Sequence, residues 1–501
     1  MIESLLVANR GEIAVRILRA AQDLGIRTIA VFSEADRMGL HVQEADEAYL
    51  LGPAPSSESY LRTDRILEAA RRSGAQAIHP GYGFLAERAA FAQAVEDAGL
   101  IFVGPRAETI AAMGDKTQAR RRMREAGVPI VPGLVDPVGD GEAALQAAEE
   151  IGYPVLLKAA AGGGGKGMRV VPDAADLVRA FEAARREALA AFGDGSVYLE
   201  RFLDRPRHVE IQILGDAAGN VVHLGERECS IQRRHQKLIE EAPSSVLSAD
   251  ERAAMGEAAV RAARAVDYRG AGTVEFLYQG GDFFFLEMNT RLQVEHPVTE
   301  LVTGLDLVTW QLRIAGGESL SFTQDDVSLE GHALECRITS EDVQRNFMPS
   351  TGTLRHLEVP TGPGVRWDGG IQTGSQVTLH YDPLLAKLIT YGSTREIAIR
   401  RMARALDELV VVGVETSAPF HRRVMEEEDF RAGRLSIRYL EEHPHVVDGG
   451  EEDATLRAAA VAAALLEEGH RERHRLPGVG RGCDGEALSS WRRAGWPWRA
   501  T

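Results

Sequence analysis

The chain has 501 residues, of which 44% are hydrophobic and 26% are charged, and these fractions are ordinary for a globular protein. Its length predicts several domains with sizeable cores. The formal net charge of −17 argues against a nucleic-acid partner, because phosphate backbones are bound by basic surfaces.

The cysteines and the apolar runs indicate the compartment. Cys229, Cys336 and Cys483 form no CxxC pair, which is typical of reduced thiols. No run of about 18 apolar residues is present to span a membrane. Residues 1–3 lead into a strand pattern and not into a signal peptide. We therefore expect a cytoplasmic protein without a membrane partner.

Strand and helix patterns alternate over residues 1–114. Residues 4–8 and 28–32 are predicted to be short buried strands with a helix between them. This alternation predicts a parallel sheet with covered faces, and so a Rossmann-like α/β domain. Residues 9–12 are no GxGxxG sequence, so NAD is not predicted. Residues 79–85 form a glycine-containing loop after a strand, where α/β proteins place ligand contacts.

A basic helix is predicted to begin at Gly114-Asp115-Lys116. We interpret its basic run, residues 120–124, as a solvated helix face. Pro129 and Pro132 mark a boundary near residue 130.

Four consecutive glycines, residues 162–165, lie between two strand patterns and are followed by Lys166. The loop is not a Walker A loop, because Lys166 precedes glycine and not Ser or Thr. A flexible loop with exposed N–H groups and a lysine suits closure over phosphates. The alternative is a surface hairpin without a function, but the entropic cost of four glycines favours a functional lid. The pattern at residues 197–202 is predicted to be the strand that returns from this lid.

Two polar segments follow the lid. Residues 208–213 alternate between polar and apolar, and His208 is either a ligand or a histidine on the strand face. Residues 226–237 are dense in charge and lack a helical stripe. They are predicted to be a loop that lines a charged site.

The run at residues 283–297 is the most informative part of the chain. From Glu287 its odd positions are Glu, Asn, Arg, Gln and Glu, and its even positions are largely apolar. An extended strand would place the polar groups on one face. Carboxylates and an amide suit a hard cation such as Mg²⁺, and Arg291 suits a planar anion. A solvated edge strand is the alternative, but such strands usually carry Lys, Thr and Ser.

An upstream strand is predicted at residues 273–278, joined to this run by a hairpin. Glu275 lies opposite Glu287 if the pairing centres on Gly281, which requires an odd-length loop. We predict a three-residue loop with glycine in the left-handed conformation. Two carboxylates so close together would repel each other without a cation between them.

Five segments together resemble the biotin carboxylase family, the ATP-grasp component of biotin-dependent carboxylases. They are residues 8–14, 79–85, 162–166, 225–237 and 287–300, in the family's order, and the resemblance covers residues 2 to 445. It implies an α/β (α+β) ATP-grasp fold with an N-terminal Rossmann-like (pre-ATP-grasp) domain and a C-terminal biotin carboxylase domain. The domains would be residues 1–114, 115–328 (lid about 130–203) and 329–446, followed by a linker and tail at 447–501, in which an Ala-rich helix is predicted at 454–475.

The resemblance also assigns roles to individual residues, with Glu295, Arg291, Lys237 and Arg337 as the catalytic group. The residues implied to contact ATP are Lys116, Lys158, Gly162, Gly163, Gly164, Gly165, Lys166, Glu200, Leu203, His208, Gln232 and His235. Those implied for bicarbonate and biotin are Lys237, Arg291, Gln293, Val294, Glu295, Arg337 and Tyr82. Those implied for Mg²⁺ or Mn²⁺ are Glu275, Glu287 and Asn289.

The implied reaction uses ATP, Mg²⁺ or Mn²⁺ and bicarbonate to carboxylate biotin through carboxyphosphate. The sequence contains no Met-Lys-Met biotinylation motif, so we expect the biotin to arrive on a carrier protein in trans. Carboxyltransferase subunits and a homodimer are the other implied partners. Residues 380–387 look more like the α subunits of acyl-CoA carboxylases than the free acetyl-CoA carboxylase component, so we expect an acyl-CoA as the final acceptor.

Two alternatives are weighed against this interpretation. Another ATP-grasp ligase, such as a carbamoyl-phosphate synthetase, would share the lid and the metal carboxylates but not the segments at 232–237 and 291–295. A scaffold subunit without activity would be expected to have lost its lysines and glutamates, and these are intact. Thr339-Ser340, before Glu341-Asp342, and residues 349–352 depart from the family's commoner sequences without changing an assigned ligand.

Overall fold

The computed structural model describes residues 2–134, 137–159, 168–192, 195–234, 236–449, 460–466 and 468, without the side chains of Lys116, Ala191 and Phe192. The chain divides into two units, residues 1–448 and 449–501. Apart from Gly449, the described residues of the second unit are helical and fall within the predicted Ala-rich helix; the rest of that prediction lies outside the described residues. Among the described residues, we find no helix that is both long and apolar enough to cross a membrane.

The N-terminal part alternates strands and helices, as predicted. Its elements are β1 (Ser4–Val7), α1 (Gly11–Asp23), β2 (Arg27–Ser33), α2 (Leu40–Glu44), β3 (Glu47–Gly52), α3 (Thr63–Ser73), β4 (Ala77–His79), α4 (Ala89–Asp97), β5 (Ile101–Phe102) and α5 (Ala107–Gly114).

The five strands form one parallel sheet in the order β3-β2-β1-β4-β5. The loops after β1 and β4 meet at the carboxyl edge of this sheet. Asn9 Nδ2 donates to the backbone oxygens of Pro80 at 2.7 Å and Tyr82 at 2.8 Å. These bonds fix the loop at residues 79–85 beside the start of α1.

A small α/β layer follows, with a core of its own in which Leu157, Phe181 and Leu199 are fully buried. Strands β6 and β7 pair antiparallel, so the predicted hairpin around the glycine loop is confirmed, while residues 160–167 at its tip lie outside the described residues. The returning strand β8 pairs with β6 on the other side. The elements of the layer are α7 (Gly141–Ile151), β6 (Val155–Ala159), β7 (Met168–Val171), α8 (Ala174–Phe192) and β8 (Val197–Arg201). Helix α6 (Lys116–Glu125) precedes the layer, and its buried residues belong to a different core.

The next group of elements supplies most of the predicted site residues. They are β9 (Arg207–Gly215), β10 (Val221–Arg233), β11 (Gln236–Ala242), α9 (Ala249–Arg264), β12 (Gly270–Gln279), β13 (Asp282–Asn289), α10 (His296–Thr303) and α11 (Leu307–Ala315).

The C-terminal elements complete the first unit. They are β14 (His332–Thr339), β15 (Glu341–Asp342), β16 (Met348–Pro349), β17 (Gly352–Thr353), β18 (His356–Glu358), β19 (Val365–Gly369), β20 (Gln376–Val377), β21 (Leu384–Gly392), α12 (Arg395–Glu408), β22 (Val410–Val412), α13 (Ala418–Glu426), α14 (Glu428–Arg431), α15 (Tyr439–Glu442) and α16 (His445–Asp448).

An antiparallel sheet of eight strands joins these two groups, in the order β13-β12-β9-β10-β11-β14-β21-β19. It contains strands from both sides of the predicted domain boundary at residue 328. Helix α9 packs on β9 and β10, and helix α10 packs on β10, β11, β14 and β21. The polar groups beneath the start of α10 form the candidate site.

Candidate active site

Two facing carboxylates lie on the β12–β13 hairpin. Glu275 pairs with Glu287 across the two strands, as predicted, and Asn289 Nδ2 donates to Glu275 Oε1 at 2.9 Å. Burial by itself would raise the pKa of Glu275, but the charges of Lys237 and His208 outweigh it and hold that pKa well below its usual range. Glu275 is therefore a buried anion at neutral pH.

The loop of this hairpin differs from the prediction of three residues. Gln279 pairs with Asp282, so two residues, Gly280 and Gly281, form the turn, with φ angles of 64° and 93°. Both glycines adopt the left-handed conformation that a type I′ turn requires. A β-bulge at Leu286 supplies the one-residue offset that brings the two glutamates opposite each other.

The predicted extended strand ends at Asn289, and its extension through Glu295 is wrong. From Thr290 the chain turns, and Glu295 becomes the residue that precedes α10. The polar groups nevertheless converge, because Gln293 Nε2 donates to Glu275 Oε1 at 2.8 Å. A turn, and not strand alternation, brings these side chains together.

The charged segment at residues 226–237 is not the predicted loop. It belongs to β10 and β11, which form a hairpin in which Gln232 pairs with Lys237. Arg227 is fully buried and Glu228 is 1% exposed. The segment forms strands because its charges find partners on neighbouring strands and do not need water.

Arg227 ties the sheet to helix α10. Its guanidinium donates five hydrogen bonds at 2.6–3.0 Å and so uses its full donor capacity. The acceptors are Glu210, Gln212, Thr273, Gln293 and Thr299.

Lys237 lies at the centre of the site. Its Nζ donates to Glu210 Oε2 at 2.5 Å, to Glu275 Oε1 at 3.0 Å and to Glu295 Oε1 at 2.6 Å. Burial would lower the pKa of Lys237, but the three carboxylates raise it well above its usual value. The lysine is a permanent cation among buried anions.

Arg337 brackets Glu295 from the other side. Its Nη2 donates to Glu295 Oε2 at 3.0 Å, and its Nε donates to Glu240 Oε1 at 2.6 Å. Burial would raise the pKa of Glu295, but Lys237, Arg337 and Arg227 hold it well below its usual range. Glu295 is an anion with a cation on each oxygen.

His208 lies beside the carboxylates of Glu275 and Glu210 and is therefore part of the candidate site. Its Nε2 lies 3.0 Å from Glu275 Oε2 and 3.7 Å from Glu210 Oε2. Burial would lower the pKa of His208, but Glu275 raises it above its usual value. Ligand atoms of these three residues lie within 4.8 Å of one another, yet the Lys237 ammonium already occupies the place that a metal ion would take among them.

The other anion-binding candidates lie at the edge of the site. Arg291 Nε lies 3.0 Å from Glu87 Oε2, and its Nη2 donates to Asn289 Oδ1 at 3.1 Å. The hydroxyl group of Tyr82 is buried and has no hydrogen-bond partner among the described residues. Its backbone oxygen accepts from Asn9.

On the lid side, Lys158 and Arg120 both contact Glu200, whose side chain is 3% exposed. The interpretation of residues 120–124 as a solvated face is therefore wrong for Arg120, which turns inward. The remaining arginines of the run are exposed. The buried carboxylate of Glu200 thus binds two cationic side chains and fixes the position of Lys158.

Of the remaining residues predicted to contact ATP, some lie among the described residues and others do not. The backbone of Lys116 starts α6, where Asp115 caps the helix by accepting from two backbone N–H groups. Leu203 and Gln232 are half-buried. The candidates that lie outside the described residues are Gly162, Gly163, Gly164, Gly165, Lys166 and His235.

The facing glutamates fit a divalent cation. Glu275 and Glu287 oppose each other in register, and Asn289 follows on the same face of β13. Two carboxylates and an amide oxygen are the hard donors that Mg²⁺ and Mn²⁺ prefer.

Sequence reasoning missed four buried charged residues that support the site: Glu210, Arg227, Glu240 and Lys387. Lys387 is fully buried, and its Nζ donates to the backbone oxygen of Val294 at 3.1 Å, which holds the turn before Glu295. The sequence contains a signal for Lys387, which is a charged residue inside an otherwise apolar strand. Buried Lys and Glu are rare unless they are paired, so such a residue indicates a buried partner.

Three family models match this chain in order. They are "Biotin carboxylase, N-terminal domain" over residues 1–110, "Carbamoyl-phosphate synthase L chain, ATP binding domain" over residues 115–323 and "Biotin carboxylase C-terminal domain" over residues 335–442. The first and third matches favour a biotin carboxylase over the carbamoyl-phosphate synthetase alternative.

Two relatives are similar over most of this chain. The biotin carboxylase of Haemophilus influenzae is 53% identical over 442 residues, which is 88% of this chain and 98% of the relative. A pyruvate carboxylase subunit from Methanothermobacter thermautotrophicus is 51% identical over 448 residues, which is 89% of this chain and 91% of the relative. These two relatives have similar identity to this chain, but their names do not point to one carboxyl acceptor. The acyl-CoA acceptor expected from the sequence therefore stays a prediction.

A solved structure shows the same fold. The biotin carboxylase domain dimer of Hydrogenobacter thermophilus 2-oxoglutarate carboxylase, in complex with MgADP, ADP and bicarbonate, is 49% identical, with a TM-score of 0.82 over 90% of this chain and 100% of that one. The chain therefore belongs to the biotin carboxylase family, and it is an ATP-grasp ligase that carboxylates biotin with ATP and bicarbonate.

Proposed function

We propose that Lys237, Glu295 and Arg337 form the centre at which bicarbonate is activated and biotin is carboxylated. The observation that carries this proposal is the bracketing of Glu295, whose two oxygens accept from Lys237 and from Arg337. The two cations that hold this carboxylate are also suited to bind a small anion such as bicarbonate. Arg291, Gln293 and the backbone of Val294 complete the proposed bicarbonate subsite.

Glu295 is the proposed base. In the free protein it is a weak base, because Lys237 and Arg337 stabilise its anionic form. A bicarbonate anion competes with Glu295 for both cations, and each bond that Glu295 loses raises its basicity. Glu295 then takes the bicarbonate proton, and a bicarbonate oxygen attacks the γ-phosphate of ATP to form carboxyphosphate and ADP.

The nucleotide is proposed to lie between the large sheet and the lid. Lys158 is already held by Glu200, and phosphate oxygens would compete with that carboxylate for the ammonium. Closure of the glycine loop would exclude water, which hydrolyses carboxyphosphate. The other proposed ATP contacts are Lys116, Gly162, Gly163, Gly164, Gly165, Lys166, Glu200, Leu203, His208, Gln232 and His235.

Glu275, Glu287 and Asn289 are the proposed holders of Mg²⁺ or Mn²⁺. A divalent cation at this position supplies charge neutralisation to the transferring phosphoryl group. Glu275 Oε1 also accepts from Lys237, Gln293 and Asn289, and these three bonds fix the position of its carboxylate.

Arg337 and Tyr82 are proposed to contact the biotin ring. Carboxyphosphate breaks down to CO₂ and phosphate, and this phosphate takes the N1′ proton of biotin. The guanidinium of Arg337 stabilises the negative charge of the resulting enolate, which attacks CO₂.

Partners and compartment are part of the same proposal. We infer that the biotin arrives on a separate carrier protein, that carboxyltransferase subunits receive the carboxyl group and that the chain forms a homodimer. The dimer of the Hydrogenobacter domain supports the last point. Cys229 and Cys336 are buried free thiols, which supports a reducing compartment such as the cytoplasm.

The test is ATP hydrolysis by the purified chain with Mg²⁺ and bicarbonate, with and without free biotin. We expect hydrolysis that biotin stimulates and that disappears without bicarbonate. Glu295→Ala is expected to lower this rate by about 10²- to 10⁴-fold while nucleotide binding is retained. Normal turnover in Glu295→Ala would remove Glu295 from the role of base.

A further inference from the structure

Two glutamates face each other behind Arg337. In the β11–β14 ladder Glu240 pairs directly with Glu335, and both residues are fully buried. Directly opposed residues in an antiparallel pair have Cβ atoms about 4.5–5.5 Å apart. Two carboxyl groups therefore share one small volume from which water is excluded.

The hydrogen bonds of this pair are incomplete. Glu240 Oε1 accepts from Arg337 Nε at 2.6 Å. Glu240 Oε2 and both oxygens of Glu335 are buried and have no hydrogen-bond partner among the described residues. Buried acceptors without a donor are costly, and buried carboxyl groups in proteins are almost always paired.

The two nearby lysines bind other groups and do not supply the missing hydrogen-bond donors. Lys387 lies opposite Arg337 on the neighbouring strand β21. Its Nζ lies 3.1 Å from the backbone oxygen of Val294 and 3.1 Å from Glu12 Oε2. Lys237 is shared by three other carboxylates. Besides the two glutamates themselves, the charged groups that act on the pair are Lys237, Glu295, Arg337 and Lys387.

We propose that Glu240 and Glu335 share one proton, with Glu335 as a neutral carboxylic acid whose O–H donates to Glu240 Oε2. Glu240 remains an anion and holds the guanidinium of Arg337. The two glutamates are thus positioning residues that act on biotin through Arg337. One proton supplies the missing donor and removes the repulsion between two buried anions.

Electrostatics agree with this geometry. Burial raises the pKa of Glu240 to about 7, even against the charge of Arg337. Burial also raises the pKa of Glu335 well above its usual value, against the charges of Lys387 and Arg337. Glu335 accepts no hydrogen bond from the guanidinium of Arg337, so Glu335 is the residue that keeps the proton.

The pair has a purpose in the proposed reaction, on which this part of the inference rests. When Glu295 takes a proton from bicarbonate, it loses the charge that holds Arg337 from one side. Glu240 then remains as the anion that keeps Arg337 in place for the biotin enolate. A second full charge on Glu335 would draw the guanidinium away, since both residues extend from the same face of β14.

The first test is spectroscopic and does not depend on turnover. Infrared spectra of the full chain near pH 7.5 are compared in H₂O and D₂O for wild type, Glu335→Gln and the control Glu226→Gln. Glu226 is a buried carboxylate that is bonded to Arg252, away from Arg337. We expect the carbonyl band of a protonated carboxylic acid in wild type and the control, and its loss in Glu335→Gln. A band of the same intensity in Glu335→Gln as in wild type, or no band in wild type, overturns the proposal.

The second test separates the two glutamates by kinetics. Glu335→Gln keeps a neutral group and a donor, so biotin-dependent ATP hydrolysis should stay within about threefold of wild type. Glu240→Gln removes the anion that holds Arg337, so the biotin-dependent kcat should fall about tenfold to a hundredfold with the KM for ATP unchanged. If Glu240→Gln does not fold, Glu240→Asp takes its place, because its shorter side chain draws the anion away from Arg337 and should also lower the biotin-dependent kcat.

Equal losses in Glu335→Gln and Glu240→Gln would show that the charge of Glu335 is needed, and would overturn the shared proton. Loss of the infrared band in Glu335→Gln together with no effect of Glu240→Gln on biotin turnover would support the pair and contradict the assignment of Arg337 to biotin. The two hypotheses therefore fail separately.

Discussion

Lys237 and Glu295 are 58 positions apart in the chain, yet Lys237 Nζ donates to Glu295 Oε1 at 2.6 Å. The lysine comes from strand β11 and the glutamate from the turn before α10. This contact keeps the proposed base anionic and weakly basic until a competing anion arrives. It thus couples substrate binding to the activation of the base.

Lys237→Met should lower bicarbonate-dependent ATP hydrolysis about a hundredfold or more, because it removes a buried cation from the proposed bicarbonate subsite. Lys237→Arg restores the charge with a different shape and should recover part of the activity. Steady-state rates over a range of bicarbonate concentrations check both variants. A Lys237→Met variant with the wild-type KM for bicarbonate would contradict this placement.

Arg227→Met should lower the free energy of unfolding by about 3–5 kcal/mol, because it strips a fully buried Glu210 of a partner and breaks five hydrogen bonds. Urea unfolding followed by fluorescence measures the loss. The control is Arg404→Met, whose arginine is 43% exposed and pairs with Glu408 within α12. The control should change stability by at most about 0.5 kcal/mol, and equal effects would refute the role of Arg227.

Glu287→Gln should raise the Mg²⁺ or Mn²⁺ concentration that is needed for half-maximal ATP turnover by about tenfold or more, because it removes one of two facing carboxylates. Asp282→Asn is the matched control, since Asp282 is an exposed carboxylate on the same hairpin. Metal titrations of both variants at fixed ATP make the comparison. The same metal dependence in the two variants would speak against a cation between Glu275 and Glu287.

Glu241 should support stability at neutral pH and lose this effect in acid. Burial would raise its pKa, but Arg395 and His332 lower it from about 4.5 to about 2. A carboxyl whose pKa is depressed on folding stabilises the protein above its unfolded pKa, and this stabilisation disappears as the pH falls from about 4.5 towards 2. The shift corresponds to about 3 kcal/mol.

Glu241→Gln should therefore be less stable at neutral pH, and its stability should fall less steeply below pH 4.5. Urea midpoints from pH 7 to pH 3.5 measure both effects. Glu125→Gln, at the exposed end of α6, serves as the control and should behave as wild type. An unchanged acid slope in Glu241→Gln would show that another group carries this dependence.

The sequence by itself determined the features that depend on local pattern. Strand and helix periodicity predicted the parallel N-terminal sheet, and two short strand patterns predicted that Glu275 faces Glu287. The motifs that resemble the family also suggested the residues for ATP, bicarbonate and metal. Such features follow from residues that are close in the chain.

Only the tertiary structure decided which charges are buried together. Charge density suggested a loop that lines a charged site at residues 226–237, but the segment forms strands in which Arg227 binds Glu210 on the neighbouring strand. Arg337, on strand β14, binds both Glu240 and Glu295. A side chain pays the cost of leaving water only where a distant partner compensates it. That partner is set by strand order, register and a turn, none of which the local sequence pattern contains.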